Sequence, residues 1–275
     1  MTGKLILVAT PIGNLGDVSA RAREVLASAD VVACEDTRRT AKLLASLGLE
    51  KSLLIYADHN EAAAATKLLR RLKRGETVAV VTDGGTPLLA DPGYVILQKA
   101  LAAGAEIDVV PGPSAVHAAL ALSGLPPYPY TFIGYLPRRR VERRTFLERY
   151  KTLATTVVLF ATPHRLAAEL DDILEVWGER DAALARELTK AHQEIIRGTL
   201  GTIIAAARSR RPKGEMTLVV AGAVGVEPDR EAAVKLAREL TAEGLSAARA
   251  AAIAARTFKV PKHGVYGRLV AGRRV

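Results

Sequence analysis

Short apolar runs that end abruptly in loops of Gly, Pro, Thr and Ser constrain this chain more than any other feature. Residues 5–9 run into Thr10-Pro11-Ile12-Gly13-Asn14, residues 78–82 into Asp83-Gly84-Gly85-Thr86-Pro87, and Val109-Val110 into Pro111-Gly112-Pro113-Ser114-Ala115. A continuous apolar run of this length reads as a strand buried on both faces, and small residues directly after it let a ligand approach the backbone. In open α/β sheets, ligands bind outside the carboxyl ends of the strands. Together the three loops predict a small-molecule pocket, although any one Gly or Pro could serve simply to end a strand.

The runs recur with helical segments between them. Strands are expected over 4–9, 31–34, 52–56, 77–82 and 106–110, with helices near 19–29, 37–47, 61–74, 92–103 and 114–123. In the third helix Ala65, Leu68, Leu69 and Leu72 repeat at helical spacing while Lys67, Arg70, Arg71 and Lys73 take the opposite face. Such alternation predicts a mostly parallel, doubly wound α/β sheet. Gly124-Leu125-Pro126-Pro127-Tyr128-Pro129 then forbids helix continuation and central-strand pairing, and reads as a linker.

Beyond the linker, strands are expected over 130–133, 156–160, 182–187, 194–198 and 216–221, with helices near 138–152, 163–177 and 200–209. The short separation of 182–187 from 194–198 predicts a hairpin, hence a second, mixed sheet. Residues 229–243 read as a helix stopped by Gly244, and 246–257 as a helix capped by Ser246. Residues 260–264 turn into 265–269, read as an edge strand. The resulting division is an N-terminal α/β domain (1–123), a C-terminal α/β domain (124–225) and a basic, helical C-terminal segment (226–275).

Several ligand classes are disfavoured. The chain has neither G-x-G-x-x-G nor G-x-x-x-x-G-K-[ST], so the two common phosphate cradles are missing. Asp83 is instead an acceptor suited to ribose hydroxyls, an amine or a cationic centre. The single cysteine, Cys34, lies in an apolar run and reads as a packed thiol in a reducing, cytoplasmic compartment. Five scattered histidines form no metal-ligand spacing, and no signal peptide or membrane span is expected.

The net charge is +10, and the excess is clustered. Residues 245–275 contain no acid but carry Arg249, Arg256, Lys259, Lys262, Arg268, Arg273 and Arg274; a second cluster is Arg138, Arg139, Arg140, Arg143 and Arg144. Clustered cations attract a polyanion. Arg138, Arg139, Arg140, Arg143, Lys259 and Lys262 are therefore candidate RNA contacts, the alternative being a solvated helix face.

The stretch from Val8 to Asp17, then Cys34-Glu35-Asp36-Thr37-Arg38, Asp83-Gly84-Gly85-Thr86-Pro87, Pro111-Gly112-Pro113-Ser114-Ala115, Pro163-His164-Arg165 and Arg186-Glu187-Leu188-Thr189-Lys190 follow in order. Together they resemble the tetrapyrrole-methylase-like superfamily of S-adenosylmethionine (SAM) methyltransferases, and within it the branch of small-subunit ribosomal RNA cytidine 2′-O-methyltransferases. The resemblance implies two α/β domains with SAM in the cleft between them, a homodimer, and 16S ribosomal RNA within the small ribosomal subunit as substrate. It places Pro11, Ile12, Gly13, Asp83, Gly84, Gly85, Thr86, Ser114, Ala115, Phe160, Ala161, Met216 and Thr217 at the cofactor. Ala161 stands where the branch more often has Glu.

A ribose 2′-hydroxyl is a weak nucleophile, so a base or a cation that stabilises the developing alkoxide should lie within hydrogen-bond reach. The candidates are Glu35, Asp36 and Arg38 after the second strand, Glu61 beside His59 and Asn60, and Glu187, Lys190 and Glu194 in the second domain. Lys190 is the first choice, as a lowered-pKa base or as a cation, and Asp36 the second, as a carboxylate base. Interdomain ion pairs are the alternative reading of Glu35, Arg38 and Glu187. Two rival functions remain: a methylase of precorrin- or uroporphyrinogen-type tetrapyrroles, and a non-catalytic RNA-binding assembly factor.

Overall fold

The alternation of apolar runs with amphipathic segments produces β1 (Lys4–Val8), β2 (Val31–Cys34), β3 (Leu53–Ile55), β4 (Thr77–Val81) and β5 (Glu106–Val110). They form a fully parallel sheet in the order β3-β2-β4-β1-β5 in a computed structural model that describes residues 3–210, 212–223, 230–258 and 260–271. Successive side chains of a strand point to opposite faces. Leu5, Val78 and Val80 accordingly pack with Leu68 and Leu72 of α3 (Glu61–Lys73) and Ile96 and Ala100 of α4 (Tyr94–Ala102). Ile6, Val8, Ala79 and Val81 pack with Ala22 and Leu26 of α1 (Ala20–Ser28) and Leu44 of α2 (Thr37–Ser46). Cys34 is buried on that second face.

The chain leaves β1 for β2 on one side of the sheet and leaves β4 for β5 on the other. Adjacent strands whose connections diverge create a switch point, and a crevice opens beyond their carboxyl ends. Here it lies between the loops that follow β1 and β4.

The second sheet contains β6 (Tyr130–Tyr135), β7 (Thr156–Ala161), β8 (Asp181–Arg186), β9 (Glu194–Thr199) and β10 (Met216–Val220), in the order β6-β7-β10-β8-β9. Only β6 and β7 run parallel, and β8–β9 is the expected hairpin. One face carries Leu159, Leu184 and Leu218 beneath α6 (Arg140–Glu148), α7 (Leu166–Trp177) and α8 (Leu200–Arg210), which contribute Leu147, Leu170, Ile173 and Ile203. The other face, with Val158, Ala185 and Val219, is covered by Val116, Ala119 and Leu120 of α5 (Ala115–Ser123). A helix that precedes the proline-rich linker thus completes the core of the sheet that follows it.

Both sheets belong to one compact unit, Met1–Gly222, and a second unit comprises Ala223–Val275. The second unit is three helices, α9 (Arg230–Ala242), α10 (Ala247–Thr257) and α11 (Lys262–Ala271), around Ala233, Ala237, Ala250, Ala254, Val265 and Leu269. The edge strand expected over 265–269 is corrected to part of α11. This unit has no strand among its described residues to satisfy an extended backbone, whereas a helix satisfies its own. Val265 and Leu269 are buried one helical turn apart while Tyr266 and Arg268 face outward. No helix among the described residues is long and apolar enough to cross a membrane.

Candidate active site

The loops after β1 and β4 are stitched together at the switch point. Thr10 and Gly85 exchange two backbone hydrogen bonds of 2.9 and 3.0 Å, and the Thr10 hydroxyl donates to the Thr82 carbonyl at 3.0 Å. Gly85 has φ of +103°, a conformation that side chains resist, and a Cβ on Gly84 would stand 3.2 Å from the Pro11 carbonyl oxygen. Asp83 accepts from the Asp36 backbone N–H at 3.1 Å and pairs with Arg39 at 3.5 Å. Leu88 and Ala90 in the loop after β4, and Glu187 and Thr189 in the loop after β8, are non-glycine residues at positive φ. Each such residue stores about 1 kcal/mol or more of strain, a cost that clusters at functional sites.

A first cleft of about 310 Å³ opens here. Of the expected cofactor residues, Ile12, Asp83, Gly84, Gly85, Thr86, Ser114, Ala115, Phe160, Ala161, Met216 and Thr217 line it. Pro11 and Gly13 line an adjoining cleft instead. Ser114 enters because it caps α5, accepting from the His117 N–H. Ala161 and Met216 meet as register partners at the ends of β7 and β10.

Sequence reasoning missed Asp91 and Tyr135, which also line the first cleft. The Asp91-Pro92-Gly93 turn was a local signal for the former; the aromatic ending β6 was one for the latter. Burial pushes the Asp91 carboxyl up to about 6 against a hydrogen bond from Thr82, and the charges of Glu35, Asp83 and Asp58 add to the shift. The cleft therefore combines apolar walls, glycine backbone, a serine hydroxyl and three carboxylates, Asp83, Asp91 and Glu215. Those groups suit a ligand of drug-like size with a ring, hydroxyls and a positive centre.

The second cleft, about 350 Å³, shares Ile12, Arg39, Thr82, Asp83 and Glu215 with the first and adds Lys190, Lys42, Leu43 and Leu15. Lys190 donates from Nζ to Glu187 at 2.9 Å and to Glu215 at 3.0 Å. A side chain on Gly13 would collide with the Lys190 stem, so the glycine makes room for the lysine. Burial works to lower the Lys190 pKa, but the two carboxylates outweigh it and the net shift is upward. Lys190 is therefore a cation, which corrects the reading of it as a lowered-pKa base.

Other candidates are also revised. Asp36 caps α2 and is held down to about 2, first by the Arg38 side chain and then by the Arg38 N–H, so it is a poor base. Arg38 folds back on Asp36 at 2.8 Å and lines neither cleft; Arg39 faces both. Glu35 lines neither cleft either, although partial burial and then the charges of Asp83 and Asp58 raise its pKa. Glu61 is structural: its carboxylate accepts from the Tyr56 hydroxyl at 2.9 Å and the Gly93 N–H at 3.1 Å, tying β3 to the start of α4. Asn60 accepts from the Ala57 N–H, and Glu194 pairs with Arg186 and Arg210.

The arginine cluster divides. Arg143 is corrected from RNA contact to core brace: it is only 5% exposed and is paired with the buried Asp172. Arg140 shares Asp172 and Glu175, and Arg139 pairs loosely with Glu142 at 3.4 Å. Arg138 has no carboxylate partner among the described residues. Lys262 is exposed on α11, whereas Lys259 lies outside the described residues.

The sequence profile of the tetrapyrrole (corrin/porphyrin) methylases matches residues 4–204. Ribosomal RNA small subunit methyltransferase I of Thermotoga maritima is 43% identical over 220 residues, covering 80% of this chain and 99% of that protein. The protein of the same name from Mesorhizobium japonicum is 42% identical over 269 residues, covering 97% and 91%. Among solved structures, the methyltransferase CobJ matches with a TM-score of 0.63 at 20% identity, covering 81% of this chain and 95% of that one. Diphthine synthase matches with a TM-score of 0.63 at 16% identity, covering 80% and 89%. The two structures share the fold, and the profile match with the relatives at this identity establishes that the chain belongs to the tetrapyrrole (corrin/porphyrin) methylase family.

Proposed function

We propose that this protein transfers a methyl group from SAM to the ribose 2′-oxygen of a cytidine in 16S ribosomal RNA of the small ribosomal subunit. The supporting observation is a pair of adjoining clefts that share Ile12, Arg39, Thr82, Asp83 and Glu215, in a chain whose relatives carry the name ribosomal RNA small subunit methyltransferase I. The first cleft takes SAM, with Gly84 and Gly85 admitting it to the backbone and Ser114 and Asp83 as polar anchors. When bound there, SAM supplies an electrophilic sulfonium methyl.

The remaining work falls to the protein. Asp83 and Asp91 make the first cleft negative, which favours a positive centre, while Ile12, Leu89, Phe160 and Met216 exclude water. Lys190, held charged by Glu187 and Glu215, stands at the wall of the second cleft and stabilises negative charge that develops on an entering hydroxyl oxygen. Glu215 lines both clefts and accepts the proton as the hydroxyl attacks. Ala161 supplies no carboxylate, so this scheme uses none at the end of β7.

The same reading assigns phosphate contacts to Arg138, Arg139 and Lys262. It divides the chain into 1–123, 124–225 and 226–275, and describes a cytoplasmic homodimer that needs no metal. Incubation of small subunits with the protein and isotopically labelled SAM, followed by nucleotide-resolved mass spectrometry, tests it. Label on a cytidine 2′-oxygen is the expected result; label on a base atom, or no label in the RNA, overturns it.

A further inference from the structure

The strand ladder lapses at the wall that the second sheet gives to the first cleft. β6 pairs Phe132 with Val158 of β7 and next Tyr135 with Phe160, so β6 carries an extra residue there, at a bulge that includes Gly134 with φ of +68°. A bulge disrupts the ladder and re-aims the side chain that follows. Tyr135 accordingly lines the first cleft, its ring 5.3 Å from that of Phe160. Beyond this pair, no strand pairing joins the two chains among the described residues.

Past that point a side chain takes over. Arg165 donates from Nη1 to the carbonyl of Leu136, the residue after Tyr135, at 3.2 Å, and from Nε to the hydroxyl of Thr162, the residue after β7, at 3.3 Å. Thr162 and Pro163 line the first cleft, whereas Arg165 stands behind them and does not. Its remaining nitrogen, Nη2, lies 3.1 Å from Glu169, one turn along α7. Glu169 is 1% exposed and neither of its oxygens accepts a hydrogen bond from a described residue; the charges that bear on it are Arg165 and then Arg143. A buried carboxylate short of donors opposes folding, so stability does not account for it. What it does is seat the Arg165 guanidinium. The neighbouring pair serves another place: Arg143, held by Asp172, donates to the carbonyls of Pro137 and Arg138 at 3.4 and 3.0 Å, and neither of those residues lines the cleft.

We propose that Arg165 is a positioning residue for the methyl donor: seated on Glu169, it bridges the ends of β6 and β7 where the ladder has lapsed and fixes the wall that Tyr135, Thr162 and Pro163 present to SAM. This rests on the first cleft as the seat of SAM and adds what holds one wall of it in place. The role suits arginine, whose planar fork reaches two acceptors and an anion together, and a single ammonium cannot replace it. It also gives Pro163-His164-Arg165 a purpose, with the proline on the cleft and the arginine securing the wall from behind.

The test compares SAM affinity by calorimetry, melting temperature and steady-state methylation of small ribosomal subunits in variants of the full-length protein. Arg165→Met combined with Glu169→Met removes both charges together, so no lone charge is left buried and the melting temperature should hold. The Kd and KM for SAM should nevertheless rise by about tenfold, the scale of one lost hydrogen bond, with the KM for the subunit unchanged. Arg165→Lys keeps the charge beside Glu169 but not the fork, and should keep the fold while binding SAM about threefold more weakly. Arg143→Ala should lower the melting temperature and leave SAM affinity alone. Full SAM affinity in the double variant or in Arg165→Lys overturns the proposal, and so does an equal loss in Arg143→Ala, which would trace the effect to general loosening. Thr86→Trp fills the first cleft and should abolish SAM binding; if it does not, the seat of SAM is elsewhere, and it is the underlying reading that fails.

Discussion

Asp91 shows how a residue can oppose folding where it serves a site. Its carboxyl is raised to about 6 from the ordinary 3.8, first by burial. Protonation therefore favours the folded state: the neutral form is fully available below about pH 4, and that margin is lost as the pH climbs through about 6. Asp91→Asn should raise the melting temperature at pH 7 but hardly at pH 4, and flatten the stability profile between; equal effects at both values would remove Asp91 as the source. Gly13 acts by absence. Gly13→Ala pushes the Lys190 stem from its seat and, on the role proposed for Lys190, should lower turnover by about 10- to 100-fold with SAM affinity kept. The arginines separate in the same way. Arg143→Ala leaves the buried Asp172 with Arg140 as its remaining partner and should cost about 1–3 kcal/mol by chemical denaturation. Arg138→Ala should leave stability alone and lower the salt slope of RNA binding by about one.

Elements carry the next level of meaning. Ser114 caps α5 at the edge of the first cleft, and Ser114→Ala should cost about 1 kcal/mol while blurring that edge; denaturation and SAM calorimetry read the two effects separately. The strands were legible because β1, β4 and β10 are short runs with a single polar residue each, and the loops at the first cleft because their glycines follow the first two runs closely. Arg39 was not legible. Whether Arg38 or Arg39 faces a cleft depends on where α2 starts its first turn, and the Asp36 cap turns Arg38 aside. Asp91 was hidden for another reason: the carboxylates that raise its pKa, Glu35, Asp58 and Asp83, come from separate loops that only the fold assembles. The end of the chain misled because Val265 and Leu269 fit a strand or a helix equally well, and only the neighbours they bury against decide.

At the scale of the whole molecule, the Met1–Gly222 unit contains both sheets and both clefts, and the three-helix unit has a core of its own. The Thermotoga maritima relative matches this chain over 220 residues that make up 99% of its length, close to the size of the first unit alone. A protein ending at Gly222 should therefore bind SAM with unchanged affinity, while its binding to the small subunit weakens and loses salt dependence. Calorimetry and filter binding across a salt series check both expectations, and lost SAM affinity would show that the helical unit supports the donor cleft. The linker at 124–129 offers no such cutting point. α5 ends just before it yet covers Val158, Ala185 and Val219 of the second sheet, so a chain severed there would leave that sheet bare and strand the helix on the wrong fragment. The two pieces should be insoluble when expressed apart and recover only when made together, which makes the proline-rich segment a seam in the sequence but a weld in the folded protein.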